Sequence, residues 1–83
     1  MATAQTTKVT GNVISADDNE PIIGASIVVK GTMVGTVTDF DGAFSLDVPS
    51  SAKTLVISYV GMKSQEVVIK PILKIVLESD NHQ

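Results

Sequence analysis

Cysteine and tryptophan are missing from this chain, aromatic residues make up only 4% of it, and the single histidine, His82, stands beside the last residue. Without cysteine there is no disulfide framework, no thiolate metal site and no thiol nucleophile, although either redox compartment remains open. Without a histidine inside the folded part, no serine has an imidazole base beside it. Apolar runs fall well short of the roughly 18 residues a helical membrane span requires, and no charged start followed by an apolar stretch opens the chain, so direct membrane insertion is not expected. Basic residues are also thin: the six lysines (Lys8, Lys30, Lys53, Lys63, Lys70, Lys74) are scattered singly in a chain of net charge −3. That pattern excludes a nucleic-acid stripe. The glycines form neither a phosphate loop nor a dinucleotide fingerprint, and no cofactor is expected.

What the chain does contain is β-branched and aliphatic residues. Hydrophobic residues make up 43% and charged residues 18% of 83 positions, enough for one core and too short for two domains. Val and Ile favour extended backbone because a branched Cβ packs well on a pleated surface. Residues 1–7 are small and polar and are expected to be a loose tail, residues 8–78 the folded domain, and residues 79–83 a frayed end. The opening Met1-Ala2-Thr3-Ala4-Gln5 resembles an initiator Met set near the small-residue end of a removed signal peptide, with an ordinary cytosolic start as the alternative.

Seven short strands bounded by Gly, Pro, Asp or Asn are predicted, at the close spacing of a sandwich. The first, Lys8 to Ala16, puts Val9 and Val13 on one face, and the second, Ala25 to Lys30, does the same with Ala25, Ile27 and Val29. A short third strand surrounds Val37. The fourth alternates most clearly, with Phe44, Leu46 and Val48 inward and Ala43, Ser45 and Asp47 outward. The fifth, Thr54 to Val60, offers Leu55, Ile57 and Tyr59 to one side, and Gly61 then marks a corner. A sixth around Gln65 to Ile69 and a seventh from Ile72 to Leu77, with Leu73, Ile75 and Leu77 inward, complete the set.

Two acidic turns, Asp17-Asp18-Asn19-Glu20 and Asp39-Phe40-Asp41-Gly42, are the places where oxygen ligands for Ca²⁺ would be sought. The second lacks the further ligands and distal bidentate Glu of a twelve-residue calcium loop, so both are read as turns: Asp accepts backbone hydrogen bonds and Gly42 takes positive φ. Asp39, Asp41, Gly42 and Phe44 are then a structural turn motif, with no catalytic, cofactor or metal residue assigned anywhere. Tyr59 is expected mostly buried by its phase with Leu55 and Ile57, and Phe40 is expected to cap the end of the core rather than serve as a recognition aromatic.

Taken together, several stretches resemble the carboxypeptidase-regulatory-like domain family. They are Val9-Thr10-Gly11-Asn12-Val13, then Glu20-Pro21-Ile22-Ile23-Gly24-Ala25-Ser26-Ile27-Val28-Val29-Lys30-Gly31, then Gly35-Thr36-Val37-Thr38-Asp39-Phe40-Asp41-Gly42-Ala43-Phe44, and finally Leu55-Val56-Ile57-Ser58-Tyr59-Val60-Gly61-Met62. The resemblance implies an all-β, seven-stranded, transthyretin-like (prealbumin-like) Greek-key β-sandwich. It further implies a periplasmic extension ahead of the plug of SusC/RagA-type TonB-dependent outer-membrane transporters of Bacteroidetes, which import glycans or peptides. Met62 departs from the aromatic usual after Gly61, and no TonB box or plug follows Leu77-Glu78-Ser79-Asp80, so the chain reads as an excised domain. The family supplies no catalytic residue to carry over. A carbohydrate-binding or adhesive module, for which Phe40 is the one candidate aromatic, and an accessory domain of a metallocarboxypeptidase stand as alternatives.

Some outward positions are not polar: Val56, Val60, Val68, Ile72 and Val76 fall opposite the inward sets. They are either tolerated surface residues or an apolar docking face for the rest of the transporter, another periplasmic protein or a second copy. An edge strand adds to this, the seventh being apolar enough to accept another chain's strand unless Pro71 or Lys74 discourages it.

Overall fold

A computed structural model describes residues 5–80. The strands are β1 (Thr6–Ser15), β2 (Ser26–Val29), β3 (Gly35–Val37), β4 (Ala43–Pro49), β5 (Thr54–Ser58), β6 (Gln65–Val68) and β7 (Ile72–Leu77), with no helix among the described residues. They form a sandwich of two sheets, one of order β4-β1-β7 and one of order β3-β2-β5-β6. The chain is thus the seven-stranded all-β sandwich expected.

The longest strand, β1, lies at the centre of the smaller sheet. It pairs antiparallel with β4, where Val9 faces Leu46 and Gly11 faces Phe44, and parallel with β7, where Val13 faces Ile75. In the larger sheet β2 pairs antiparallel with β3 and β5, and β5 antiparallel with β6. Strict alternation supplies the core: Val9, Val13, Ala25, Ile27, Val29, Phe44, Leu46, Val48, Leu55, Ile57, Ile75 and Leu77 are all buried, joined by Ile22 from the β1–β2 connection. Ala52, Met62, Val67, Ile69 and Leu73 pack on its margins.

Four expectations need correction. The first strand starts at Thr6, because Thr6 and Thr7 pair with Pro49 and Val48 and the carbonyl of Gln5 accepts from the Ser50 N–H; the tail does not extend through residue 7. At the other end Ser79 bridges to Met62 and the Asp80 N–H donates to the Gly61 carbonyl at 2.9 Å, so residues 79 and 80 are held by the β5–β6 turn rather than frayed. The fifth strand stops at Ser58. Tyr59 already belongs to the turn in which the Met62 N–H returns to its carbonyl and Gly61 takes φ 79°, and at 39% exposure the tyrosine stands at the surface outside the core cluster. Phe40 is 83% exposed and does not cap the core. The expectations for Met1 to Ala4 and for Asn81 to Gln83, His82 included, lie outside the described residues.

Candidate interaction surface

The acidic turn between β3 and β4 is built by one carboxylate. Asp39 Oδ1 accepts from the N–H groups of Asp41 at 2.9 Å and Ala43 at 3.0 Å, while the Asp39 N–H donates to the Ala43 carbonyl. Gly42 closes the turn at φ 71°, and a Cβ there would stand 2.6 Å from the Val13 carbonyl oxygen, so only glycine suits both conformation and space. Phe44 follows, buried, with its ring over Gly11 of the neighbouring strand. The turn motif Asp39, Asp41, Gly42, Phe44 is therefore one local unit. Its Asp39 carboxylate is occupied with backbone donors, as a turn requires.

The first acidic turn is similar. Asp18 Oδ1 accepts from the Glu20 N–H, Asn19 takes φ 58°, and the Ser79 hydroxyl donates to Asp17. Among the described residues no three His, Cys, Asp or Glu side chains come close enough to share a metal ion. One ion pair is present among them, Lys30 to Glu66 at 3.0 Å, with both side chains more than half exposed. It reaches from the residue after β2 to β6 across the outer side of β5, since Val28 pairs with Val56 and Val56 with Glu66.

The five outward aliphatic residues do not form one face. Val56, partly buried, and Val68 lie diagonally on the outer side of the larger sheet, where Thr54 pairs with Val68 and Val56 with Glu66. Val60, 91% exposed, sits in the turn after β5. Ile72 and Val76 belong to β7 and point outward from the smaller sheet, on the opposite side of the sandwich. All five lie away from the core, but the chain changes sheets between β6 and β7, so they divide between the two sides of the sandwich.

A different apolar concentration replaces it. Met33, Val34, Val37 and Phe40 are all exposed and bracket β3. A shallow, open depression on the outer side of the larger sheet is lined by Ser26, Val28, Met33, Gly35, Thr36 and Val37. A second, sharing Ser26, is lined by Gly24, Ser58, Tyr59 and Val60. Neither has a charged side chain in its lining. The sequence held a signal for this region: Met33-Val34 directly after Gly31-Thr32 is apolar where a turn is normally polar. Thr38 was also overlooked. Its buried hydroxyl accepts from the Ala25 N–H at 2.9 Å and donates to the Ile22 carbonyl, tying the end of β3 to the start of β2.

The CarboxypepD_reg-like domain family matches residues 9–82. TonB-dependent receptor P3 of Formosa agariphila is 37% identical over 96% of this chain and 8% of its own length. TonB-dependent receptor SusC of Bacteroides thetaiotaomicron is 39% identical over 82% of this chain and 7% of its own length. The chain therefore spans less than a tenth of the length of these curated relatives. A chain in the crystal structure of a type II cohesin–X–dockerin complex from Acetivibrio cellulolyticus superposes with a TM-score of 0.58 at 19% identity, over 86% of this chain and 56% of that one. That likeness shows the sandwich fold alone.

Proposed function

We propose, from the premise that this chain belongs to the CarboxypepD_reg-like domain family, that it is a non-catalytic accessory domain of a SusC-type TonB-dependent transporter, working by protein–protein contact. The observation that carries the reading is the near full-length match of the chain to a small part of two TonB-dependent receptors. On this reading the domain sits in the periplasm as part of an outer-membrane protein that takes up glycans or peptides. Its partner is the rest of the transporter or a periplasmic protein. The side chains support a scaffold rather than a catalyst: the Asp18 and Asp39 carboxylates each accept from backbone N–H groups of their own turn, and the buried hydroxyl of Thr38 both donates and accepts.

The reading frame that carries these residues is the first test. It is expected to encode a plug and barrel downstream, and a frame encoding a peptidase or a secreted adhesin instead would remove the assignment. The second test deletes the domain from that transporter. Growth on the imported nutrient should fall while the barrel still reaches the outer membrane, and unchanged growth would reject an accessory role.

A further inference from the structure

Each sheet of the sandwich ends in two edge strands, and three of the four edges are obstructed. On β7 the side that faces away from β1 presents residues 72, 74 and 76, because the Thr10 and Ala16 N–H groups take the carbonyls of Pro71 and Leu77. There the Gln65 amide donates to the Val76 carbonyl at 2.7 Å, the Lys63 N–H takes the Glu78 carbonyl, and Lys74 stands mid-strand. On β4 the Ala43 N–H and carbonyl are taken by Asp39, Asp47 adds a charge, and Pro49 lacks a donor. On β6 the backbone groups of Glu66 and Val68 face away from β5, the strand carries the Glu66 charge, and Lys70-Pro71 follows directly after Ile69. Charge, proline and covering side chains are the means by which edges resist pairing.

The β3 edge has none of these. The Val34 carbonyl accepts from the Val29 N–H and the Thr38 N–H donates to the Ala25 carbonyl, so the N–H and C=O groups of Gly35 and Val37 turn away from β2. No charged residue lies in β3. Beside it runs the uncharged depression over Ser26 and Val28, flanked by Met33 and Val37. Just past its end, exposed Phe40 stands between Asp39 and Asp41. Glu20 belongs to the same corner, since the Ser15 N–H takes its carbonyl, Ile14 bridges to Pro21, and the Val13 N–H takes the Gly42 carbonyl. None of these three carboxylates has a lysine within ion-pair distance among the described residues.

We propose that β3 receives an extended polypeptide strand with apolar side chains at alternate positions and Lys or Arg at its end. The strand extends the larger sheet through the Gly35 and Val37 backbone. Its apolar side chains lie along the shallow depression beside Gly35 and Val37, and its basic end meets the Phe40 ring and the Asp41 carboxylate. Charge complementarity selects this occupant: the corner is acidic, the depression is neutral, and the carboxylates are too dispersed for a metal ion. The inference rests on reading the domain as an interaction module and adds the site and the chemistry of its partner.

The test uses this chain labelled with ¹⁵N and an acetylated, amidated peptide of alternating valine and threonine ending in two lysines. The amides of Gly35 and Val37 should shift and exchange more slowly on binding. Val37→Pro removes one outward donor without touching the ladder to β2 and should weaken binding about tenfold, as should Asp41→Lys for the basic end. A peptide N-methylated on alternate residues, which needs no protein variant, should not bind. Equal binding of the N-methylated peptide, or shifts confined to residues 72–76, would overturn the proposal. So would self-association blocked by Val37→Pro with no peptide binding, which makes a second copy the occupant. No peptide binding alongside a clear transport defect on domain deletion would remove the strand site while leaving the accessory role intact.

Discussion

Phe44 and Phe40 carry the same side chain four positions apart, and their environments decide their worth. Phe44 lies in the alternating β4 strand with its ring over Gly11, where an added Cβ would come within 2.8 Å of the ring. Phe44→Ala is expected to cost about 3–5 kcal/mol, much of the stability of a domain this small. Phe40→Ala, at an exposed turn, should stay within about 0.5 kcal/mol. Equal melting shifts for the two would contradict the assignment. Gly11→Ala should also destabilise, since a methyl there must displace the ring or the Leu73 carbonyl. Thr38→Val keeps the shape but leaves the Ala25 N–H and the Ile22 carbonyl unpaired, for a loss of about 1–3 kcal/mol in denaturant melts.

Among the elements, β6 is tied to its neighbours by polar contacts of unequal value. The Lys30–Glu66 pair is solvent-exposed, so Glu66→Gln should change stability by less than about 1 kcal/mol. Gln65→Ala releases the Val76 carbonyl and should cost about 0.5–1.5 kcal/mol, with faster amide exchange in β7. A larger effect at Glu66 than at Gln65 would reverse this order. On the β3 side the comparable backbone groups have no such cover, and hydrogen exchange there should be fast in the free domain.

For the whole molecule, the decisive contact joins the ends of the chain. β1 pairs in parallel with β7, so the central strand of the smaller sheet is incomplete until the last strand arrives. Such non-local topology places folding in the range of roughly milliseconds to seconds. A chain ending before Pro71 would lose Ile75 and Leu77 from the core and leave β1 without its parallel partner. It is expected to be unfolded by circular dichroism and by amide dispersion, and a folded truncation would show that β1 and β4 suffice.

What the amino-acid order determined alone was everything with a short period. Alternation placed Val9, Val13, Phe44, Leu46, Val48, Leu55, Ile57, Ile75 and Leu77 inward, because successive side chains on a strand must point to opposite faces. The Asp39 and Gly42 turn was equally legible, since its hydrogen bonds close within five residues. Tyr59 shows where this reach ends: its phase was inward, but pairing stops at Ser58 and the glycine turn carries the ring to the surface. The outward aliphatic residues divide for a larger reason. Alternation tells whether a side chain faces its own core, and it carries no information about which sheet the strand joins. Only tertiary pairing put Val56 and Val68 on one sheet and Ile72 and Val76 on the other, left β3 as an open edge, and brought the first and last strands together.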